Sequence, residues 1–420
     1  MGDLWSGAAR ARDTAPYDRQ LLFLTMTLIL VGLVMVFSAS VTQAEHRYDS
    51  MFFFALRDGV AIAAAAVIGA FAMMFSGDLL RRISLPLLGV GLLLLLLVLL
   101  VGSEINSARR WIRLGGFNLQ PAEFAKIIWI LYLSGFLTRK REEVTRKLRA
   151  FVKQFALLIV MAALLLLQPD YGSLVVISGI FIGLLFVGGA HLMSFLICIA
   201  LLLILLTVMA VWEPYRMLRI TTFLDPWQDP FGKGYQLTQS LMAFGRGGLT
   251  GEGLGNSVQK MEYLPEAHTD FVFAILGEEG GFLGVAAVVL LEIWLIWRMF
   301  RISRTMLRAG EMFGGYVSFG MGMLLSIQTF INVGAASGML PTKGLTFPLI
   351  SYGGSSLAAV VAGIAIVLRL DHEFRSRYRR HGDEAEPGVA EVSESSGGAD
   401  APDHVVESGK TPSDGSVSAG

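Results

Sequence analysis

The sequence is short of charge, cysteine and histidine, and each shortage excludes a class of protein. Only 16% of the 420 residues are charged and 54% are hydrophobic, whereas a soluble globular domain carries about 25% charged residues. The composition therefore predicts a membrane protein. The single cysteine, Cys198, excludes an intrachain disulfide, a cysteine zinc site and a redox pair. The six histidines show no metal-ligand spacing, so a histidine metal site is not expected.

Long apolar runs fill most of the chain and indicate helices that cross a membrane. A helix needs about 20 apolar residues to cross a hydrocarbon core of roughly 30 Å, whereas barrel strands would show shorter alternating segments. We predict an all-α polytopic membrane protein, a bundle of about ten transmembrane helices with a long, partly ordered periplasmic loop at about 212–269. The predicted spans are 21–41, 53–75, 83–102, 121–138, 151–167, 172–189, 191–211, 270–297, 312–336 and 343–369.

Basic residues set the predicted orientation. Clusters of Lys and Arg precede the first span and follow the second, fourth, eighth and tenth, which places them all on one side of a ten-span bundle. By the positive-inside rule that side is the cytoplasm, so both termini are expected there. The expected organisation is a cytoplasmic N-terminal segment 1–20, a membrane domain 21–375 and a disordered acidic cytoplasmic tail 381–420, which holds nine acidic residues and one lysine.

Several cations lie on the predicted outer segments, and six of them are expected near the level of the outer headgroups. The six are Arg110, Arg113, Arg216, Arg219, Arg246 and Lys343. Guanidinium groups match phosphate oxygens, so the set suits an anionic lipid headgroup and a pyrophosphate in particular. The alternative is that each is an interfacial anchor whose side chain snorkels to the headgroups. For any one of these residues both interpretations stay open.

Asp270 stands at the start of the eighth span, at the predicted outer boundary. As a general base, an ionised carboxylate takes a proton from a hydroxyl within hydrogen-bond reach. At this boundary it is placed for a sugar and not for a lipid tail. The alternative is structural, because Asp and Thr are common N-caps, so that Thr269 or Asp270 would satisfy free amides of the helix.

Two pairs of charged residues stand out among those inside predicted spans. Glu278 and Glu279 follow Asp270 by eight and nine residues, which is about 12–13 Å along a continuous helix. Because an unpaired acid is costly at that depth, both are expected to face the bundle interior and either find partners or take up a proton. Glu123 and Lys126 have the i, i+3 spacing that lets them pair on one helix face. A polar brace is preferred for Glu279, while bracing and site lining stay open for Glu123 and Lys126.

Several long motifs occur in order along the chain. They include ARRWI, LQPAEFAK, QPDYG, EPYRMLR, DPWQDPFGKGYQLTQSLMAFGRGG, NSVQKMEYLPEAHTD and NVGAASGMLPTKGLTFPLISYGGSS. With these motifs the sequence resembles the SEDS family (shape, elongation, division and sporulation) of peptidoglycan polymerases from Tyr17 to about Arg375. The run NSVQKMEYLPEAHTD is most similar to the division branch of that family. One position departs from the family pattern, since Ser107 stands where glycine is usual.

The resemblance implies a glycosyltransferase that polymerises lipid II, the undecaprenyl-pyrophosphate-linked disaccharide pentapeptide, into glycan strands of the septal wall. Asp270 matches the family's essential carboxylate, the base for the acceptor hydroxyl. A divalent cation, Mg²⁺ or Mn²⁺ with unknown ligands, is expected to stabilise the pyrophosphate leaving group together with basic side chains. The expected substrate-binding residues are Arg110, Trp111, Arg216, Arg219, Gln239, Arg246, His268, Lys343 and Ser351. Among the cations, Lys343 and Arg246 are expected to contact the phosphates more than Arg113 does.

The resemblance also implies partners and a location. A class B penicillin-binding transpeptidase, other divisome membrane proteins and membrane lipids are the expected partners, in the bacterial inner membrane at the division septum, and no nucleic-acid partner is expected. Two alternatives stay open. A lipid II flippase would depend on the buried charges and be indifferent to Asp270. A non-catalytic divisome scaffold would only recruit the transpeptidase.

Overall fold

The structure is a computed structural model that describes residues 17–105, 108–114, 117–146, 148–212, 222–341 and 344–384. The chain forms two compact units, Met1–Arg375 and Ser376–Gly420. In the second unit only residues 376–384 are described, and they belong to the last helix. Most of the predicted N-terminal segment and most of the predicted tail therefore lie outside the described residues.

Among the described residues, ten helices of 17 to 37 residues match the ten predicted spans one to one. Six are long and apolar enough to cross a membrane by length and composition, and three of the others contain shorter apolar stretches. The predicted bundle of about ten helices is confirmed. The ten are α1 (Arg19–Tyr48), α2 (Phe53–Ala72), α3 (Gly77–Val101), α4 (Pro121–Arg139), α6 (Leu148–Leu167), α7 (Tyr171–Val187), α8 (Leu192–Trp212), α10 (Val272–Arg308), α11 (Met312–Ala336) and α12 (Gly354–Glu384), with two shorter helices, α5 (Arg141–Arg146) and α9 (Tyr235–Gly247), between them.

Polar caps mark where two of the long helices begin. The Asp18 carboxylate accepts a hydrogen bond from the Leu21 amide at 2.9 Å ahead of α1. The Asp170 carboxylate accepts one from the Ser173 amide at 3.0 Å ahead of α7. Each cap satisfies an amide that the first turn of a helix leaves without an intrahelical partner.

A small antiparallel sheet lies between α3 and α4. Its strands are β1 (Ser103–Ile105), β2 (Ala108–Leu114) and β3 (Phe117–Leu119), in the order β1-β2-β3. The prediction of a purely α-helical fold did not contain this sheet, because two of its strands have only three residues and leave almost no alternation to detect. The helical bundle stands, and the sheet is an addition at one end of it.

The tenth predicted span, 343–369, begins later than expected. Helix α12 starts at Gly354, and the ten residues before it form turns and bends without helix. The prolines and the YGGSS run of this region predict a broken segment, and the structure has one. Pro348 has no amide to donate, and Leu349 has a left-handed φ of 61°, so a helix cannot run through them.

Helix α9, which the sequence prediction left inside the long loop, packs against the first part of α10. The two backbones come so close that a Cβ placed on Gly247 would overlap the carbonyl oxygen of Gly277. Only glycine permits this approach. The loop of 212–269 is thus partly ordered against the bundle.

Helix α10 is broken at Gly281, where φ is 62° and ψ is −166°. This backbone conformation is open to glycine and strained for other residues. Four backbone hydrogen bonds from the loop after α9 satisfy the groups that the break frees, which is how non-helical backbone is tolerated inside a membrane bundle. They join Glu252 N to Glu278 O and Gly253 N to Glu279 O at 3.0 Å each, Phe282 N to Gly248 O at 2.9 Å and Leu283 N to Leu249 O at 3.1 Å.

Candidate active site

Asp270 lies at one end of the bundle, two residues before α10 begins at Val272, and its side chain is half-buried. The N-cap residue of α10 is Phe271, with no capping hydrogen bond from a side chain. The Thr269 hydroxyl donates instead to the Glu266 carboxylate at 2.8 Å. Neither Thr269 nor Asp270 is therefore the N-cap residue of α10.

The segment that follows α11 lies against Asp270. Oδ2 of Asp270 is 3.0 Å from the position that a Cβ would take on Gly344. The Asn332 side chain, near the end of α11, donates from Nδ2 to the carbonyl of Asp270 at 3.2 Å and to that of Leu345 at 2.7 Å. Asn332 therefore ties the Asp270 turn to residues 344–353.

His268 packs between two aromatic rings beside Asp270. Its ring centroid is 4.8 Å from that of Phe54 and 5.6 Å from that of Tyr352, and its carbonyl accepts the Tyr352 amide at 3.0 Å. Burial lowers the pKa of His268 below its usual value, with Arg47 acting in the same direction and Glu266 against it. The imidazole is therefore neutral at neutral pH and offers a hydrogen bond, not a positive charge.

Two more predicted substrate-binding residues are buried near this end of the bundle. The Ser351 hydroxyl accepts the Phe347 amide at 2.9 Å and stabilises the turn ahead of α12. Gln239 is buried in α9. Its neighbour Ser240 donates to the carbonyl of Ala336 at 2.7 Å, which holds α9 on the end of α11.

Arg110 and Trp111 lie on β2. The Arg110 guanidinium donates from Nε to the Gln168 carbonyl at 3.0 Å and from Nη2 to the Pro169 carbonyl. Trp111 is half-buried and pairs in register with Ser103. The contacts of Arg110 hold the sheet on the turn between α6 and α7, which its position in the sequence does not reveal.

The predicted outer segments converge on the Asp270 end of the bundle. Arg110 joins β2 to the turn before α7, and a Cβ on Gly172, the second residue of α7, would lie 3.0 Å from the Leu345 side chain. Ser355 at the start of α12 donates to the Asn118 carbonyl at 2.9 Å, which connects β3 to the same region. Three of the predicted site residues, Arg216, Arg219 and Lys343, lie outside the described residues, as does Ser107.

Glu278 is fully buried and holds the loop that follows α9. Its carboxylate accepts the Val258 amide at 3.0 Å, the Gln259 amide at 3.2 Å and the Ser257 hydroxyl. Arg246, which is predicted to bind phosphate, lies 3.6 Å from Glu278 Oε1 through its Nε. The half-exposed guanidinium of Arg246 is thus oriented by Glu278.

Glu279 forms a second buried brace. Oε1 of Glu279 is 2.8 Å from Lys260 Nζ, and the Ser38 hydroxyl donates to the same carboxylate at 2.7 Å. Lys260 Nζ also donates to Ser38 Oγ at 3.1 Å, and all three side chains are buried. These contacts join the first part of α10 to α1, a geometry that fits the interpretation of Glu279 as a brace.

We expect Glu278→Gln to release the loop from α10. The amide nitrogen of Gln would face backbone N–H donors, and a hydrogen bond to a charged group contributes about 1.5–3 kcal/mol. A local loss of about 3 kcal/mol corresponds to roughly a 10²-fold rise in amide hydrogen exchange at Val258 and Gln259. Glu252→Gln is the matched control, because its half-exposed carboxylate only approaches Arg246 at 4.0 Å. Equal amide hydrogen exchange in Glu278→Gln and Glu252→Gln would contradict the role of Glu278 in holding the loop.

Glu123 and Lys126 form a buried ion pair in α4. Lys126 Nζ is 2.7 Å from Glu123 Oε1, with side-chain exposures of 0% and 5%. The pair provides the partners that the i, i+3 spacing predicts. Its geometry is that of a brace, and the site-lining alternative for these two residues stays a prediction.

Among the described residues, no group of three or more His, Cys, Asp or Glu side chains is placed to hold a metal ion. Mg²⁺ is commonly held by one or two carboxylates together with substrate phosphates. Because Asp270 is the predicted base, its carboxylate is not counted as a ligand, and a cation here would take its ligands from a diphosphate and from water.

An apolar groove of about 590 Å³ runs between α1 and α2. Phe52, Ala55 and Leu56 contribute to its wall from α2 and the residue before it. Phe54, whose ring contacts His268, lies in the same turn of α2. The groove therefore begins beside the aromatic cluster that packs around His268.

Sequence reasoning missed three residues of the site. Asn332 is one of the polar residues of a mostly apolar helix, and Lys260 is a cation in the long loop predicted at 212–269. Both are signals of function or bracing that were open to detection. Tyr352 carries no such signal. Its place beside His268 depends on the fold of residues 344–353.

Fold and site together define a class: a multi-pass membrane protein with a carboxylate and a neutral imidazole at one end of its helical bundle. The chain belongs to the FtsW, RodA and SpoVE family, whose profile, described as "Cell cycle protein", matches residues 19–376.

Relatives and solved structures agree with this assignment. Proteins named "Probable peptidoglycan glycosyltransferase FtsW" are similar to this chain: that of Aeromonas salmonicida (strain A449) is 49% identical over 365 residues, 87% of this chain and 93% of that protein. That of Tolumonas auensis is 51% identical over 359 residues, 86% and 93% of the two chains. A chain of the structure described as "Structural coordination of polymerization and crosslinking by a peptidoglycan synthase complex" is 32% identical with a TM-score of 0.70, covering 86% of this chain and 99% of that one. The crystal structure of the Thermus thermophilus rod shape determining protein RodA is 30% identical with a TM-score of 0.64, covering 86% and 98%.

Proposed function

We propose that this protein is a peptidoglycan glycosyltransferase that polymerises lipid II into glycan strands during septal wall synthesis, with Asp270 as the general base. The names of its relatives support the reaction class. The observation that carries the proposal is the position of Asp270, half-buried at the end of the bundle and not used as a helix cap.

In the proposed reaction the Asp270 carboxylate takes the proton of the acceptor hydroxyl as its oxygen attacks the anomeric carbon of the donor. The bond from that carbon to the phosphate oxygen breaks, the anomeric centre inverts, and the undecaprenyl pyrophosphate leaves with the electron pair. Asn332 orients the base, because it holds the backbone of Asp270 against residue 345. A divalent cation bound to the pyrophosphate would stabilise the negative charge that develops on the leaving group.

Basic side chains support the leaving group in this proposal. Lys343 is adjacent in sequence to Gly344, the residue that lies against the Asp270 carboxylate. Arg246 keeps donors for a phosphate, because its side chain is 45% exposed beside Glu278. The apolar groove between α1 and α2 suits the undecaprenyl chain, because it is lined by hydrocarbon and begins next to the site.

The proposed setting is the bacterial inner membrane at the division septum, with both termini in the cytoplasm and the Asp270 end outside. The solved synthase complex couples polymerization to crosslinking, which supports a transpeptidase partner, proposed here as a class B penicillin-binding protein among other divisome membrane proteins. The charges that motivate a flippase, Glu123, Lys126, Glu278 and Glu279, are all paired inside the protein, which supports bracing over transport.

Reconstitution tests the proposal. Purified protein with its transpeptidase partner in vesicles containing lipid II is expected to produce glycan polymer, and to lose this activity when a chelator removes divalent cations. Product is resolved by gel electrophoresis, and a parallel assay follows transbilayer movement of labelled lipid II. Movement of lipid II without any polymer would instead support the flippase, and neither activity would support the scaffold.

A further inference from the structure

Glu292, in the middle of α10, is a buried acid that the proposed reaction does not use. Its side chain is 0% exposed, and among the described residues neither of its carboxylate oxygens has a hydrogen-bond partner. Such a group is costly in any membrane protein, because an ionised carboxylate without partners has no substitute for water.

Gln328, in α11, is equally buried and equally without partners. Its side chain is 0% exposed, and within the described part of the chain both its Nε2 and its Oε1 lack a hydrogen-bond partner. Two such residues in one bundle call for a common explanation, since nearly all buried polar groups in proteins are hydrogen-bonded.

The packing of α10 on α11 brings the two residues to one level. Three contacts set the antiparallel register: Ser303 Oγ donates to the Gly315 carbonyl at 2.7 Å, Ser318 Oγ lies 3.9 Å from Met306 Sδ, and a Cβ on Gly322 would lie 2.8 Å from the Phe300 ring. Extended along both helices, this register places Gln328 opposite Glu292.

Glu292 and Gln328 also lie on the helix faces through which α10 and α11 contact each other. On α10 the buried residues Glu292, Leu295, Met299, Ser303 and Met306 follow one another at spacings of three and four. On α11 the same spacing links Gly314, Ser318, Met321, Leu325, Gln328 and Asn332. Residues at these spacings share one helix face, so Glu292 and Gln328 both face the interface between α10 and α11.

No charged side chain in the described parts of the packed helices is level with Glu292. Helices α1, α9 and α11 pack on α10. The nearest cation on α10 is Arg298, six residues or about 9 Å along the axis, and it is bound to Asp18 at the start of α1. Helix α11 contains no Asp, Glu, Lys or Arg, and its titratable Tyr316 lies twelve residues from Gln328. Arg246 of α9 pairs with Glu278, before the break in α10.

We propose that Glu292 is a proton-binding site, held as the neutral acid, and that its proton lets the Glu292 and Gln328 side chains, which share no hydrogen bond in this structure, turn toward each other and pair. A carboxylic acid and a primary amide are complementary: the acid O–H donates to Gln328 Oε1, while Gln328 Nε2 donates to the acid carbonyl. An ionised Glu292 has no hydrogen to donate and leaves Gln328 Oε1 unsatisfied. Gln328 lies on the same face of α11 as Asn332 and one turn before it, and Asn332 is the residue that contacts Asp270.

Infrared spectroscopy of the full chain in lipid nanodiscs tests the proton directly. The carbonyl band of a protonated carboxylic acid is expected in the wild type at neutral pH, and its intensity is expected to fall in Glu292→Gln. Glu143→Gln is the control, since this half-exposed acid is paired with Lys140 and its loss should leave the band unchanged. A band of equal intensity in the wild type and Glu292→Gln would overturn the proposal.

Thermal unfolding of the same samples tests the pairing with Gln328. A Gln at position 292 can form the same two complementary hydrogen bonds with Gln328 as the neutral acid, so Glu292→Gln is expected to melt at the wild-type temperature. Glu292→Leu leaves Gln328 without a hydrogen-bond partner and is expected to melt several degrees lower. The double variant Glu292→Leu/Gln328→Leu is expected to recover the melting temperature. Additive losses in the double variant would overturn the pairing. A melting temperature that rises with sodium or potassium in the wild type but not in Glu292→Gln would show that Glu292 binds a cation and not a proton, and would overturn the proposal. None of these measurements depends on glycosyl transfer.

Discussion

Asp270→Asn is expected to reduce the rate of glycan polymerisation by about 10²- to 10⁴-fold, the usual contribution of a general base. Asn has the same shape and keeps the contacts of the turn, but it cannot accept the proton of the acceptor hydroxyl. Thermal unfolding of Asp270→Asn beside the wild type distinguishes loss of the base from loss of the fold. The measurement is the initial rate of polymer formation from lipid II with the transpeptidase partner present.

Glu266→Gln is the matched control for Asp270→Asn. It removes a carboxylate from the same turn, four residues earlier, where it accepts the exposed Thr269 hydroxyl. Its rate is expected to stay within a factor of about two of the wild type, since surface substitutions seldom matter. If Asp270→Asn polymerised as fast as Glu266→Gln, the assignment of the base would be lost. If both were slow, the turn and not the carboxylate would be the determinant.

Lys126→Met is expected to destabilise the protein by about 3–5 kcal/mol, the cost of leaving a buried charge without its partner. Glu123 is almost fully buried and would lose the ammonium that lies 2.7 Å from its carboxylate. Removing both charges in Glu123→Gln/Lys126→Met should restore much of the stability, because no uncompensated charge is then left. Thermal unfolding in detergent measures the effect.

The chain carries its own control for this experiment. Lys140 and Glu143 have the same i, i+3 spacing and the same separation of 2.7 Å, but both are about half exposed. Lys140→Met should therefore cost less than about 1 kcal/mol. Equal losses for Lys126→Met and Lys140→Met would show that burial of the α4 pair does not control its energy.

The number of helices and their order along the chain followed from the sequence, because long apolar runs have few other stable forms in a membrane. The burial of Glu279 as a brace was also open to inference, since a carboxylate at that depth needs a partner. Its partners were not, because Lys260 and Ser38 are 19 and 241 residues away in the chain.

Arg110 shows why the basic residues were harder to interpret. Its sequence neighbours place it on an outer segment with other cations, which suits a phosphate. In the structure its guanidinium donates to the carbonyls of Gln168 and Pro169, almost sixty residues away. A backbone carbonyl is present at every position, so no sequence pattern marks the two that an arginine will meet.

By itself, the sequence determined that this protein is a membrane bundle of about ten helices with a carboxylate, Asp270, at the start of the eighth, because hydropathy and helix length are local properties. Only the tertiary structure decided that α10 breaks at Gly281 and is completed by the loop after α9, and that Asn332 and His268 surround the Asp270 turn. Those contacts join residues far apart in the chain, and their energies depend on geometry that exists only after the helices have packed.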